Sequence, residues 1–249
     1  MVAVKQKGKV IQQATDKQAQ FNLAMKHYNS RGVYMLFGRL VSSANISLQL
    51  IVVILLWGMP LAPGVMFLAF VSAYYLTDLI NGIIHMIMDH HENYSAIYGP
   101  LVAHFHLHHQ TPVYTRRALP VVYFNESGAK IWLVPYLAGV LLLIHFTLIP
   151  IFLLHVLVYV GILSSVAEVS HYLCHSSKSK TVFFLARIGL LLSRKHHASH
   201  HSQDNTNYAF LNGASDPLIN FIARTFYAGY KTTTDLHFAN YTGTSADHR

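Results

Sequence analysis

The sequence predicts an all-α, polytopic membrane protein with four transmembrane helices in two hairpins and a histidine-rich helical cap on the cytoplasmic face. Three observations carry this. The 249-residue chain is 53% hydrophobic and only 11% charged, where soluble domains carry about a quarter charged residues. No Asp, Glu, Lys or Arg occurs from 40 to 77 or from 131 to 167, and each block is near twice the roughly 20 residues that cross a bilayer. Most of the 18 histidines fall in four short segments outside or at the ends of those blocks.

Residues 1–39 read as a basic cytoplasmic arm, mobile or interfacial over its first 30 residues, and 40–249 as one membrane domain. The stretch before the first apolar run lacks the pattern of a signal peptide. Lys5, Lys7, Lys9, Lys17, Lys26, Arg31 and Arg39 face a single acid, Asp16. By the positive-inside bias this puts the N-terminus in the cytoplasm. The first block breaks at Gly58-Met-Pro60-Leu-Ala-Pro63-Gly64 and the second near Thr147 to Pro150, giving two helical hairpins. The 89–130 loop and the tail after 170 then return to the cytoplasmic side. The net charge of +8 reads as topology and attraction to anionic headgroups. No recognition motif accompanies the basic residues, which excludes a nucleic-acid partner. One cysteine, Cys174, excludes an intramolecular disulfide and reads as a small packing residue. Aromatic residues near 65–75 and 221–230 read as interfacial belt and core.

The histidine segments run from His85 to His91, His104 to His109, His171 to His175 and His196 to His201. The first ends the second span and the third ends the fourth, and the other two lie in the loop and tail, so all four meet at one membrane face. Residues three and four apart share a helix face. His171 and His175 form such a pair, and His197, His200 and His201 such a set, serving one metal or split between two. Asp89, four after His85, offers a carboxylate ligand or an acceptor for an imidazole N–H, with His90 a weaker substitute. His108 and His109 diverge by about 100° on a helix, which suits one to each of two metals, and His104 could join them. Asp78 lies seven before His85, and Glu168 three before His171; both read as ligands or as groups behind the ligands. His145 and His155, isolated in the second block, read as snorkelling side chains.

Eight histidines with an acid exceed what one metal takes, since a catalytic zinc uses about three protein ligands and a structural zinc about four. Two zincs would recruit more carboxylates, and haem would leave most of the set without a role. A non-haem pair of iron ions accounts for all of it. The alternative from another class, a histidine-rich metal transporter, would place histidines near mid-bilayer.

Four segments carry a family resemblance: Asp78-Leu-Ile-Asn-Gly-Ile-Ile-His85 with Asp89; His108-His109-Gln-Thr-Pro112 followed by Thr115-Arg116-Arg117; His171-Tyr-Leu-Cys-His175; and Ser193-Arg-Lys-His-His-Ala-Ser-His-His201 running into Asn207-Tyr208. In order and spacing they resemble the Kua-type membrane lipid desaturases, which include plasmanylethanolamine desaturase and the plastid phosphatidylglycerol trans-desaturase. The resemblance implies an iron- and O2-dependent enzyme that removes two hydrogens from adjacent carbons of a membrane phospholipid chain. Carried over by position, the ligands are His85, His108, His109, His171, His175, His197, His200 and His201, with Asp89 as a further one. His106 stands where ether-lipid members tend to have arginine, and the Thr115-Arg-Arg and Asn205 to Tyr208 stretches lean toward the phosphatidylglycerol branch. A hydroxylase on the same chemistry is the near alternative. O2 reduction requires two further electrons, hence a donor of the cytochrome b5 or ferredoxin type. Arg116 and Arg117 are placed to hold a lipid phosphate, and Gly82, Ile83, Ile84, Gly161, Ser164 and Ser165 to line a channel for the lipid chain.

Overall fold

The computed structural model describes residues 2–110, 116–203 and 205–226, with side chains from Asp16 onward except that of Gln110. Thr111, Pro112 and Thr115 of the loop motif, the aromatic residues between 227 and 230, and His237 and His248 lie outside them. Among the described residues the chain is helical, with no strand.

Prolines and glycines set the helix ends as expected. Helix α1 spans Val2–Ser30 and α2 Gly32–Trp57; α3 then starts on Pro63, a residue suited to the first helical turn, and runs to Asp89. After α4 (Gly99–Gln110) come α5 (Leu119–Glu126), a 3-10 turn (Ser127–Ala129) and α6 (Leu133–His145). Helix α7, Ile151–Ser176, follows Pro150, and the short helices α8 (Lys180–Arg187), α9 (Arg194–Ser202) and α10 (Asp216–Phe226) complete the described chain.

Helices α2, α3 and α7 are long and apolar enough to cross a membrane; α5 with the 3-10 turn and α6 makes a fourth only as a pair bent by 93°. Helix α6 alone would reach about 20 Å, short of the ~30 Å hydrocarbon core. The interruption follows from Lys130, whose ammonium turns inward between α3 and α7 instead of continuing an apolar stripe. Together these helices fit an integral membrane protein.

Helices α3 and α7 form the central pair. Ala69 and Ala73 of α3 pack on Val156 and Val160 of α7, and further along Asn81 Nδ2 donates to Ser164 Oγ at 3.0 Å. The two helices therefore run side by side in the same direction, and their C-terminal ends deliver histidines to one place. Helix α2 packs mainly on α6 and the α5 turn, and α6 on α7 through Val52, Leu56, Leu133, Leu137, Leu154 and Val158.

A polar layer crosses this apolar bundle. Gln49 on α2 donates to Gly161 O and Ser165 Oγ, both at 3.0 Å, and accepts from Tyr123 Oη at 2.7 Å. Asn45 donates to Ser127 O and Lys130 O. These bonds satisfy groups that would otherwise be costly to bury. They also overturn part of the expected channel lining: Ser164 and Ser165 are occupied by Asn81 and Gln49. Gly161 is filled by Leu137, and at Gly82 an added Cβ would run into Ile219 and Ala209. Both glycines serve close helix packing.

Two further expectations change. The arm is not loose over its second half, because Phe21, Ala24 and Met25 of α1 are buried against Val102, Ala103 and Leu107 of α4 and against Tyr94. His155 does not snorkel: it is buried, its Nδ1 donating to Ile151 O at 2.9 Å with its ring against Tyr159. His145 ends α6, exposed beside Phe146.

Candidate metal centre

Four helices present the histidines. The last turn of α3 supplies His85 and Asp89, α4 supplies His108 and His109, the last turns of α7 supply His171 and His175, and α9 supplies His197, His200 and His201. Helix α9 is started by Ser193, whose Oγ accepts from His196 N at 3.1 Å. Arg194 ties it to the end of α7 through Cys174 O at 3.1 Å and Ser177 O at 2.8 Å. Helix α4 is braced by His106, which accepts from Tyr94 Oη at 2.7 Å and donates through Nε2 to Met88 O at 2.9 Å. Burial lowers the His106 imidazole to about 4, so it serves as a neutral strut.

The nine residues carried over from the sequence resemblance converge in two groups. His108, His171, His175, His197 and His201 form one; His85, Asp89, His109 and His200 form the other. Within each group the potential ligand atoms all lie within 4.8 Å of one another. His108 and His109 go to different groups, as their divergence on α4 requires. The set on α9 is split: His197 and His201 face the first group and His200 the second.

The five-histidine group fits a cation and does not fit a hydrogen-bonded cluster. His108 Nε2 is 3.1 Å from His175 Nε2, His175 3.3 Å from His171, His171 2.9 Å from His197, and His197 3.0 Å from His201, all through Nε2. A ring nitrogen holds either one proton or one in-plane lone pair, so the nitrogens with two such neighbours cannot satisfy both. Ligands about 2.0–2.1 Å from a metal stand about 2.9 Å apart at right angles, which matches. Burial, then the neighbouring imidazoles, hold His108 and His197 well below the usual histidine range. Both are therefore neutral, with lone pairs to offer.

In the second group backbone carbonyls fix the tautomers. His85 Nδ1 donates to Tyr208 O at 2.7 Å and His200 Nδ1 to Thr206 O at 3.0 Å. Each Nε2 is thereby left as a lone pair toward the group. Asp89 faces them with Oδ1 3.5 Å from His85 Nε2 and 3.2 Å from His109 Nε2, and Oδ2 3.4 Å from His200 Nε2. The carbonyls reach that position because Asn205 and Asn207 have positive φ, 47° and 59°, a conformation asparagine tolerates better than most residues. Asn207 is further held by Asn220 Oδ1, which accepts from its N–H at 2.7 Å.

Other candidates are placed outside the groups. His104 stacks on Tyr28 at 4.0 Å between ring centroids, His90 Nδ1 donates to Met86 O, and His196 Nε2 meets Asp216 Oδ2 at 2.5 Å. Asp78 is not a ligand. Its carboxylate accepts from the backbone N–H groups of Leu211, Asn212, Gly213 and Ser215, at 2.9–3.2 Å, and from Ser215 Oγ at 2.7 Å. It anchors the loop that carries Tyr208 and Phe210. Glu168 lies behind His171, its Oε2 3.8 Å from Nδ1, and its Oε1 2.9 Å from Lys130 Nζ. Arg116 and Arg117 are exposed, and the Arg117 backbone N–H donates to Tyr172 Oη at 2.9 Å.

Residues 74–228 match the lipid desaturase domain. The chain belongs to the lipid desaturase family. No curated protein and no solved structure matches it. The matched stretch of this desaturase takes in the central helix pair from Tyr74 onward, all nine residues of the two groups, and the loop that holds His85 and His200. An oxidoreductase acting on lipids accordingly accounts for both the membrane helices and the histidine groups.

Sequence reasoning missed Lys130 and the two carbonyl acceptors that fix the His85 and His200 tautomers. Lys130 had a signal: it borders the second apolar block at one end as Glu168 does at the other, and the structure buries it. The carbonyls of Thr206 and Tyr208 had none beyond the paired asparagines.

Proposed function

We propose that this chain is a Kua-type, di-iron, O2-dependent desaturase that introduces a double bond into an acyl or alkyl chain of a membrane phospholipid. The observation that carries it is the division of nine buried or half-buried ligand atoms into two adjacent groups within a lipid desaturase domain. The balanced reaction takes –CH2–CH2– with O2, two electrons and two protons to –CH=CH– and two water molecules. A donor of the cytochrome b5 or ferredoxin type supplies the electrons.

The five-histidine group would hold one iron and His85, Asp89, His109 and His200 the other; two iron ions bound there supply the O2 activation that cleavage of an unactivated C–H bond requires. The chain's own residues set the geometry. Tyr208 O, Thr206 O and the Glu168 carboxylate orient imidazoles, and α3 with α7 holds both groups at the end of two apolar helices. Phe210 packs against His85 and His171, at 5.4 and 5.6 Å between ring centroids, and presents an apolar wall to both groups. Arg116 and Arg117 are the proposed partners of the lipid phosphate. The four-span, two-hairpin topology with both termini and the histidine cap in the cytoplasm completes the reading, supported by the basic arm and the parallel course of α3 and α7.

Lipid mass spectrometry of cells expressing the chain or its His108→Ala variant tests it. A phospholipid species two mass units lighter, present only with the intact chain, is expected. A species sixteen units heavier without the lighter one would instead make the enzyme a hydroxylase.

A further inference from the structure

Two short helices beside the metal centre carry apolar surface that no segment among the described residues covers. Helix α8 has no buried residue, and none occurs anywhere from 178 to 190, yet Phe183, Phe184, Ile188 and Leu190 project from this stretch. Eight residues are too few for a helix to persist in water without support, since isolated helices below about 12–15 residues are marginal. Helix α10 is apolar on two sides. Ile219 and Ala223 pack inward on Met86, Leu79 and Ile83 of α3, while Phe221, 68% exposed, Leu218 and Phe226 point away.

Both elements are fastened to the same helix. Tyr74 Oη on α3 donates to Leu190 O at 2.6 Å, and Asn212 Nδ2, at the foot of α10, donates to Gly189 O at 2.9 Å. Their outward residues thus extend the exposed apolar surface of α3 at Tyr75 and Ile87. The charge around them is of one sign: Lys178, Lys180, Arg187 and Arg224 are exposed, and the one acid in these stretches, Asp216, is buried against His196.

We infer that α8 and α10 form an in-plane collar on α3, immersing Phe183, Phe184, Ile188, Leu218 and Phe221 in the boundary of a lipid bilayer while their basic residues engage anionic headgroups. The bilayer is the occupant because the apolar faces continue the surface of a candidate membrane span and carry a basic rim. A helix with an apolar face and Lys or Arg beside it takes this position. The collar also fixes the depth of the metal groups, since α10 and the loop before it hold the His85 end of α3.

The test uses the full chain in vesicles of phosphatidylcholine, with and without phosphatidylglycerol, carrying a nitroxide on Phe184→Cys or Phe221→Cys; the native Cys174 is buried. A label on Ile54→Cys, on the exposed face of α2, reports insertion itself. Both collar labels are expected to collide severalfold more with O2 than with a water-soluble nickel chelate, as the Ile54 label does. The ratio should rise when phosphatidylglycerol is present, and Lys180→Gln/Arg187→Gln/Arg224→Gln should remove that rise. Nickel-dominated collisions at 184 and 221 with a lipid-exposed 54 would overturn the collar while leaving the span intact. Exclusion of both reagents would show a protein partner covering these faces instead. A ratio indifferent to phosphatidylglycerol would overturn the headgroup contact. A water-exposed label at 54 would defeat the membrane reading as a whole.

Discussion

Lys130 and Glu168 form an ion pair at 2.9 Å inside the helix bundle, directly behind His171. The ammonium also donates to Asn81 Oδ1 at 2.5 Å and lies over the Phe210 ring, 4.7 Å from its centroid. A charge at this depth needs a partner. The pair therefore does two things at once: it holds the bend before α6, and it keeps an acceptor beside His171 Nδ1.

Lys130→Met is expected to be severely destabilising, by about 3–5 kcal/mol, because it strands a buried carboxylate. Lys130→Met/Glu168→Gln should recover most of that loss, since no buried charge is left unpaired. Thermal unfolding in one detergent reads both. Glu168→Leu, which removes the acceptor, should lower bound metal even where the fold survives, and Glu168→Gln should restore it. Equal metal content in the Leu and Gln variants would sink the orienting role.

Asp78→Asn should disturb the second group without touching it. Four backbone amides and the Ser215 hydroxyl converge on the carboxylate. A side-chain amide replaces one acceptor oxygen with a donor that faces N–H groups, and an unsatisfied buried donor costs about 1–3 kcal/mol. The loop that holds His85 and His200 would loosen, so metal should be lost from that group before the five-histidine group. Titrated chelation with metal analysis at each step would show it; simultaneous loss from both groups would count against the loop's role.

The extent of what the residues alone disclosed follows from the range of the interactions. Long uncharged blocks, proline breaks and imidazoles three or four apart are local features, and they located the long apolar helices, the breaks between them and the four histidine segments; the choice of nine residues among those segments rested on the family resemblance. The roles of Asp78 and Lys130 depend on partners more than 35 positions away, Leu211 to Ser215 for one and Asn81 and Glu168 for the other. No periodicity encodes them. His155 was misread for the same reason: inside a span, position along the chain does not reveal whether a side chain faces lipid or a neighbouring helix.

Purified anaerobically, the chain is expected to bind about two metal ions, one for each group, given the ligand numbers involved. Metal analysis against protein concentration measures this. His109→Ala should reduce the count toward one by disabling the four-member group, and His108→Ala should do the same at the five-member group. Full activity with a single ion in either variant would defeat the two-metal reading.

The sharpest discrimination lies within α9, where four histidines occupy six positions but only three face the groups. His197 and His201 point Nε2 into the five-member group and His200 into the other. His196 turns away to Asp216, whose Oδ1 accepts from Ala209 N at 2.8 Å, so this dyad supports the 205–211 loop from outside. Replacing His197, His200 or His201 by Ala removes a ligand atom, and bound metal and lipid product should fall together. His196→Gln keeps a polar side chain near Asp216 and removes no ligand. Loss of such an outer partner typically costs 10- to 100-fold at most, roughly, in affinity or activity, so metal should be largely retained. Metal content and lipid product of the four single variants at matched expression decide the matter. If His196→Gln emptied the site as completely as His200→Ala, the two groups would have to be redrawn with His196 inside one of them.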